Sequence, residues 1–179
     1  MNRCILLLLV LFSVSSFTMR MESGSAVPFH KNPNGGEVVL SLNAEFEHQL
    51  FELINEKRLA KGILALKSND GLMRASLYHA ADMANENYHE HATYNRTYSG
   101  LKLGLSTFKR IAKFYNGFAN SENIAAGYSS PEDVLNAWIE SPGHHENLFN
   151  KNATEMGVGF YYNAKSEFGS YWVFESGVQ

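Results

Sequence analysis

The sequence predicts an α+β domain in which helices come first and a β-hairpin comes last. Three observations carry this reading: two long stretches with apolar residues at helical spacing, a strong helix start at Ser130-Pro131-Glu132-Asp133, and two aromatic, β-branched runs at the C-terminal end. Helices grouped before strands favour layered α+β packing over a parallel βαβ sheet.

Taken in order, Asn43 caps a helix expected from Ala44 to about Lys61. Phe46, Leu50, Leu53, Ile54 and Arg58 form its stripe, and Gly62 stops it. A second helix is expected from Ser68–Asp70 to about Tyr88, with Leu72, Ala75, His79 and Met83 on one face. His89 to Gly104 is broken and polar and reads as a loop. A short helical piece is expected over Thr107 to Tyr115, and an extended passage over Glu122 to Gly127. At Ser130 a hydroxyl cap, proline at the first helical position and two acids in the first turn all agree. That helix carries Val134, Leu135 and Trp138 and ends before Pro142. Glu155 to Tyr162 and Ser170 to Glu175 then read as a hairpin around a polar, glycine-containing loop.

At 179 residues there is room for one ordinary domain. With 45% apolar and 18% charged residues the chain is globular, neither disordered nor collagenous. A formal charge of −3 gives no sign of a nucleic-acid footprint or of a polybasic membrane patch. A domain of about 140 residues buries about two-thirds of its unfolded surface, so it needs no disulfide. The one cysteine, Cys4, precedes the apolar run Ile5 to Val14, which follows Arg3 and is followed by Ser15 and Ser16. This is the outline of a secretory signal, too short to span a bilayer comfortably. Residues 1–26 are therefore expected to be a signal peptide, 27–43 a linker or leader and 44–179 the domain. No integral membrane span is expected. A mature chain without thiols suits an exported bacterial domain. Asn95-Arg96-Thr97 and Asn152-Ala153-Thr154 match the glycosylation acceptor pattern.

Seven histidines invite a metal question. His89 and His91 bracket Glu90, His144 and His145 follow Ser141-Pro142-Gly143, and Glu122 heads its own segment. Two neutral imidazoles and a carboxylate suit a borderline cation such as zinc, and the same trio can do acid–base work. Spacing alone does not bring such distant residues together, and loop histidines making hydrogen bonds remain an open alternative. His79 lies on an apolar stripe and reads as a core histidine; His48 and His30 read as solvent-facing. No nucleophile elbow, His-Glu-x-x-His helix or phosphate loop occurs.

Six segments, in order, resemble the CAP superfamily, the group of cysteine-rich secretory proteins, antigen 5 and pathogenesis-related-1 proteins. They are Leu53-Ile54-Asn55-Glu56-Lys57-Arg58, His79-Ala80-Ala81-Asp82-Met83-Ala84, Asn87-Tyr88-His89-Glu90-His91, Ser121-Glu122-Asn123-Ile124-Ala125, Trp138-Ile139-Glu140-Ser141-Pro142-Gly143-His144-His145-Glu146-Asn147-Leu148, and Thr154-Glu155-Met156-Gly157-Val158-Gly159 followed by Tyr171-Trp172. The resemblance covers the chain from about Ala44 onward. It implies a three-layer α-β-α sandwich with a central antiparallel sheet. It also implies a cleft carrying His91, Glu122 and His144, with His91 and His144 as metal ligands and Glu122 as an outer partner or third ligand. The resemblance places a second glutamate where this chain has Ser141, so Ser141 joins the cleft; Glu140, about 100° round the helix, should point elsewhere.

The expected function is that of a secreted or cell-envelope-associated binding module, with Zn²⁺ or another divalent cation as cofactor. Its partner would be an unknown extracellular lipid, glycan or protein, and not nucleic acid. A metal-assisted hydrolase and a metal-free structural or interaction protein are the alternatives.

Overall fold

The computed structural model describes residues 32–179. The expected signal peptide, Cys4 and His30 lie outside the described residues. The chain runs α1 (Ala44–Ala60), β1 (Lys67–Ser68), α2 (Asp70–Glu86), β2 (Tyr94–Thr97), β3 (Gly100–Leu103), α3 (Thr107–Ile111), β4 (Phe118–Ala126), α4 (Pro131–Glu140), α5 (Pro142–Leu148), β5 (Glu155–Tyr162) and β6 (Ser170–Val178).

Local chemistry sets these boundaries. The Asn43, Asn69 and Ser130 side chains accept from the backbone N–H groups of Phe46, Leu72 and Asp133, satisfying donors that a helix start leaves open. Asn87 closes α2 in the left-handed conformation, a role asparagine tolerates better than most residues.

The main sheet has the order β1-β5-β6-β4. The pairs β5–β6 and β4–β6 are antiparallel, as expected, whereas the two-residue β1 runs parallel to β5. One face of the sheet packs against α1 and α4: Leu50, Ile54, Val134, Leu135 and Trp138 meet Met156, Val158, Phe160, Trp172 and Phe174. The opposite face packs against α2, where Ala80, Met83 and Ala84 meet Ile124, Tyr171 and Val173. Helices therefore cover both faces, giving the α-β-α sandwich. Gly157 and Gly159 explain how α2 comes so close. A Cβ on Gly159 would sit 2.4 Å from the Leu77 amide nitrogen, and one on Gly157 would sit 2.2 Å from the Leu72 carbonyl carbon.

Three local readings change and one is sharpened. His89 to Gly104 is not all loop, because Tyr94–Thr97 and Gly100–Leu103 pair as an antiparallel hairpin. Each strand is only four residues long, too short for the alternation of Leu101 and Leu103 to mark it. The Ser141-Pro142-Gly143 turn opens α5, which carries His144 and His145. Arg58, on the α1 stripe, carries a charge into the interior. It is fully buried and donates to the carbonyls of Leu64, Leu148 and Asn150, tying α1 to the end of α5. The leader is also anchored: the N–H groups of Asn34 and Gly35 each donate to Glu37 at 2.9 Å, Arg74 donates to the Gly35 carbonyl, and Val39 packs beside Leu72 and Phe114.

Candidate functional site

The candidate residues come from three elements at the β4 edge of the sheet. β4 presents Glu122 and Ile124 toward α2, while Asn123 and Ala125 point toward α4 and α5. Glu122 pairs in register with Glu175 of β6, so two carboxylates stand side by side on one buried face. Like charges directly opposite each other repel. Arg110 of α3, also fully buried, resolves the conflict: one of its terminal nitrogens donates to Glu122 Oε2 and, at 2.8 Å, to Glu175 Oε1. The Arg110 charge is among the causes that hold Glu122 well below the usual carboxylate range, against burial that pushes it up. Glu175 goes the other way. Burial raises it, the Glu122 charge adds to this, and it keeps its proton where Glu122 does not.

On the other side of Glu122 stands His91. Its Nδ1–H donates to Glu122 Oε1 at 2.7 Å, and its side chain is 51% exposed where that of Glu122 is 2% exposed. This hydrogen bond raises the His91 pKa above the ordinary imidazole value. The backbone is fixed as well, since the His91 carbonyl accepts from Arg110 Nη1 at 2.8 Å and from the Thr107 hydroxyl at 3.1 Å. Arg110 thus orients both partners of the His91–Glu122 pair.

His144 and Ser141 arrive on the other arm. A cavity of about 290 Å³ is lined by His89, Tyr128, Trp138, Ser141 and His144; His91 and Glu122 are not among its walls. Two asparagines join it to the pair. Asn123 Nδ2 donates to the His144 carbonyl at 3.0 Å, and Asn147 Nδ2 donates to the Glu122 carbonyl at 3.0 Å and to Asn123 Oδ1 at 2.8 Å. His144 is depressed by burial and then by the nearby His91 and His89, which places the three imidazoles within electrostatic reach. Glu140 is exposed, as its helical offset predicted.

His79 is a core residue, fully buried on α2, and its Nε2–H donates to the Glu90 carbonyl at 3.0 Å. Burial takes it down to about 3, so it is neutral, and Nδ1 has no hydrogen-bond partner among the described residues. His48 is exposed.

The structure therefore brings His91 and Glu122 into direct contact and places Ser141 and His144 together in the adjoining cavity. Arg110 and Glu175 were missed. The available signal was a charged residue at an inward position: Glu175 continues the Tyr171, Val173 alternation into the α2 face. Arg110 sits beside the buried Ile111 in a piece too short for periodicity to orient it.

As ligands, the residues divide. With Nδ1 donating to a carboxylate, a neutral His91 leaves Nε2 as the lone-pair nitrogen, the arrangement that orients a metal-binding imidazole. His144 has no side-chain hydrogen-bond partner among the described residues and is readily neutral. Both Glu122 oxygens are taken, one by His91 and one by Arg110, so it fits an outer partner and not a third ligand. Among the described residues no group of three or more His, Cys, Asp or Glu side chains is disposed to hold a metal ion. The side chains left as candidate donors are the imidazoles of His91 and His144.

Comparison with known proteins agrees with the fold and the motif order. The cysteine-rich secretory protein (CAP) family matches residues 51–176, and the chain belongs to that family. It is 32% identical over 129 residues to an uncharacterized protein, YkwD, of Bacillus subtilis, covering 71% of this chain and 45% of that protein. An uncharacterized membrane protein of the same organism, YlbC, is 29% identical over 63% of this chain and 31% of its own length. The chain spans less than half the length of these curated relatives. Among solved structures, an outer surface protein of Borrelia burgdorferi superposes with a TM-score of 0.65 at 22% identity, covering 76% of this chain and 95% of that one. An extracellular protein of Bacillus anthracis containing an SCP domain gives 0.64 at 24% identity, covering 80% and 45%. These two likenesses speak to the fold.

Proposed function

We propose that this CAP domain is an extracellular, non-enzymatic binding module whose cleft holds a divalent cation, with zinc best matched by the donors. His91 Nε2 and His144 are the ligands, water completes the coordination, and Glu122 orients His91. A bound cation would supply an open, positively charged position for a ligand reaching the cavity beside Ser141. The observation that carries the reading is the 2.7 Å bond from a half-exposed imidazole to a buried carboxylate that is itself locked by an arginine. That arrangement fixes ring and tautomer before any cation arrives. Placement outside the cell is supported by the signal pattern of residues 1–26 and by relatives described as extracellular or outer-surface proteins. No helix among the described residues is long and apolar enough to cross a membrane.

Binding is favoured over metal-assisted hydrolysis because a carboxylate held ionised against Arg110 is a weak base, and general-base catalysis needs one poised near the working pH. The test is calorimetric titration of metal-stripped protein with Zn²⁺. Wild type should bind, the His91→Ala/His144→Ala double variant should not, and Glu122→Gln should bind about ten- to a hundredfold more weakly. Equal affinity in wild type and the double variant overturns the reading. Turnover of a peptide or ester library above a Glu122→Gln control would turn it toward an enzyme.

A further inference from the structure

A net charge of −3 conceals one segment of a single sign. From His91 to Ser121 there is no aspartate or glutamate, while Arg96, Lys102, Lys109, Arg110 and Lys113 all fall within it. Two of these cations are occupied. Arg110 is buried in the site, and the Arg96 guanidinium donates to the carbonyls of Glu86 and Asn87. Lys102, Lys109 and Lys113 are exposed and make no ion pair among the described residues. The nearby leader does not neutralise them. Gly35 abuts the Lys113 carbonyl, but Glu37 beside it is buried, with both oxygens held by backbone N–H groups.

The same segment exposes large apolar side chains. Phe118 is 72% exposed, Leu103 60%, Phe108 52% and Leu101 42%, and Tyr98 stands fully in solvent at the hairpin turn. Phe108 and Phe118 share one cavity of about 430 Å³ with Ala112, Gly117 and Ala119, so they form one patch although ten residues separate them. Exposed aromatic rings among unpaired lysines are the surface chemistry of a protein that rests on an anionic bilayer. The lysines meet lipid headgroups and the rings enter the headgroup–acyl boundary. A soluble polyanion would engage the lysines equally well but would leave the rings in water, which is why the bilayer is the better match.

We infer that the surface formed by α3 and the start of β4 docks on an anionic lipid membrane, with Phe108 and Phe118 inserting and Lys109 and Lys113 on the headgroups. Thr107 and Arg110 of the same α3 hold the His91 carbonyl, so docking would set the His91 side of the cleft close to the lipid surface.

The test uses the full chain and vesicles of phosphatidylcholine alone or mixed equally with phosphatidylglycerol. The apolar run Ile5 to Val14 is common to every variant and indifferent to headgroup charge, so a local probe is added: Cys4→Ser/Phe118→Cys carrying an environment-sensitive dye. The expected results are stronger partition onto the mixed vesicles, weakening with salt, and a blue shift of the dye on those vesicles. Lys109→Glu/Lys113→Glu should lower partition at least about tenfold, and Phe108→Ser/Phe118→Ser at least about tenfold. Because all four positions are exposed, thermal melting and zinc titration should match wild type in both variants, which separates this test from that of the cleft. Equal partition onto both vesicles with an unshifted dye overturns the proposal. So does binding to soluble dextran sulfate with no dye shift on vesicles, which assigns the face to a polyanion.

Discussion

The two faces of the sheet solve different problems. On the α1/α4 face, Met156, Val158, Phe160, Trp172 and Phe174 interdigitate with Leu50, Ile54, Val134 and Trp138, and the buried polar groups at its margin, Asn55 and Arg58 of α1, are bonded to backbone carbonyls. On the α2 face, glycines let a helix backbone approach, and a buried Arg110–Glu122–Glu175 cluster stands where apolar side chains would otherwise be. The first face stabilises chiefly by apolar burial. The second gives up part of that burial to hold one carboxylate charged and its neighbour protonated, and so to fix an imidazole at the surface. The buried charge cluster is thus confined to one side of the sheet, while Ser141 and His144 reach the candidate site round the β4 edge from the other.

This division can be broken most forcefully by paired deletions. Phe174→Ala and Arg110→Met should each lower unfolding free energy by about 3–5 kcal/mol in urea titrations. Only the second should be restored by neutralising its partners. Arg110→Met/Glu122→Gln/Glu175→Gln should regain most of the loss, because an uncharged cluster needs no counter-charge. A triple variant no more stable than Arg110→Met would erase the distinction. Gly159→Ala should cost about 1–3 kcal/mol by forcing α2 off the sheet, measured the same way, since its Cβ would meet backbone that cannot turn aside.

The α2 face should also dominate the pH dependence. His79 is neutral in the fold and titrates only near 3, whereas the unfolded chain takes up that proton near the ordinary imidazole value of about 6.5. Its contribution is therefore complete above that value and lost as pH falls toward 3. His79→Gln should flatten this acid limb by about 1.4 kcal/mol per pH unit, read from urea midpoints at successive pH values. His91, raised by Glu122, has the opposite sign: its contribution is complete below the ordinary imidazole value and fades as pH rises through its folded value. The smallest effect should be that of Asn147→Ala, about 1 kcal/mol for hydrogen bonds linking Glu122, Asn123 and α5, accompanied by weaker zinc binding.

How much of this was legible in the sequence follows the same division. The apolar face announced itself through the α1 stripe, the Ser130-Pro131 helix start and the aromatic hairpin, all periodic features. His91, Glu122, Ser141 and His144 were marked by motif order, not by any spacing that could show convergence. Arg110 and Glu175 were hidden because each is one charged residue inside a buried segment, and only register and packing reveal that they oppose Glu122. The β2–β3 hairpin offers only four residues per strand, too few for the Leu101, Leu103 alternation to stand out. The acid-free stretch from His91 to Ser121 was visible in principle, but a charge summed over the whole chain averages it away.

The claim beneath the site is that Glu122, kept ionised by Arg110, sets the state of His91. Nuclear magnetic resonance titration of the His91 ring in wild type and Glu122→Gln measures it directly. The account predicts a wild-type pKa above the ordinary imidazole value that falls to or below that value in the variant. An identical His91 titration in both proteins would contradict it.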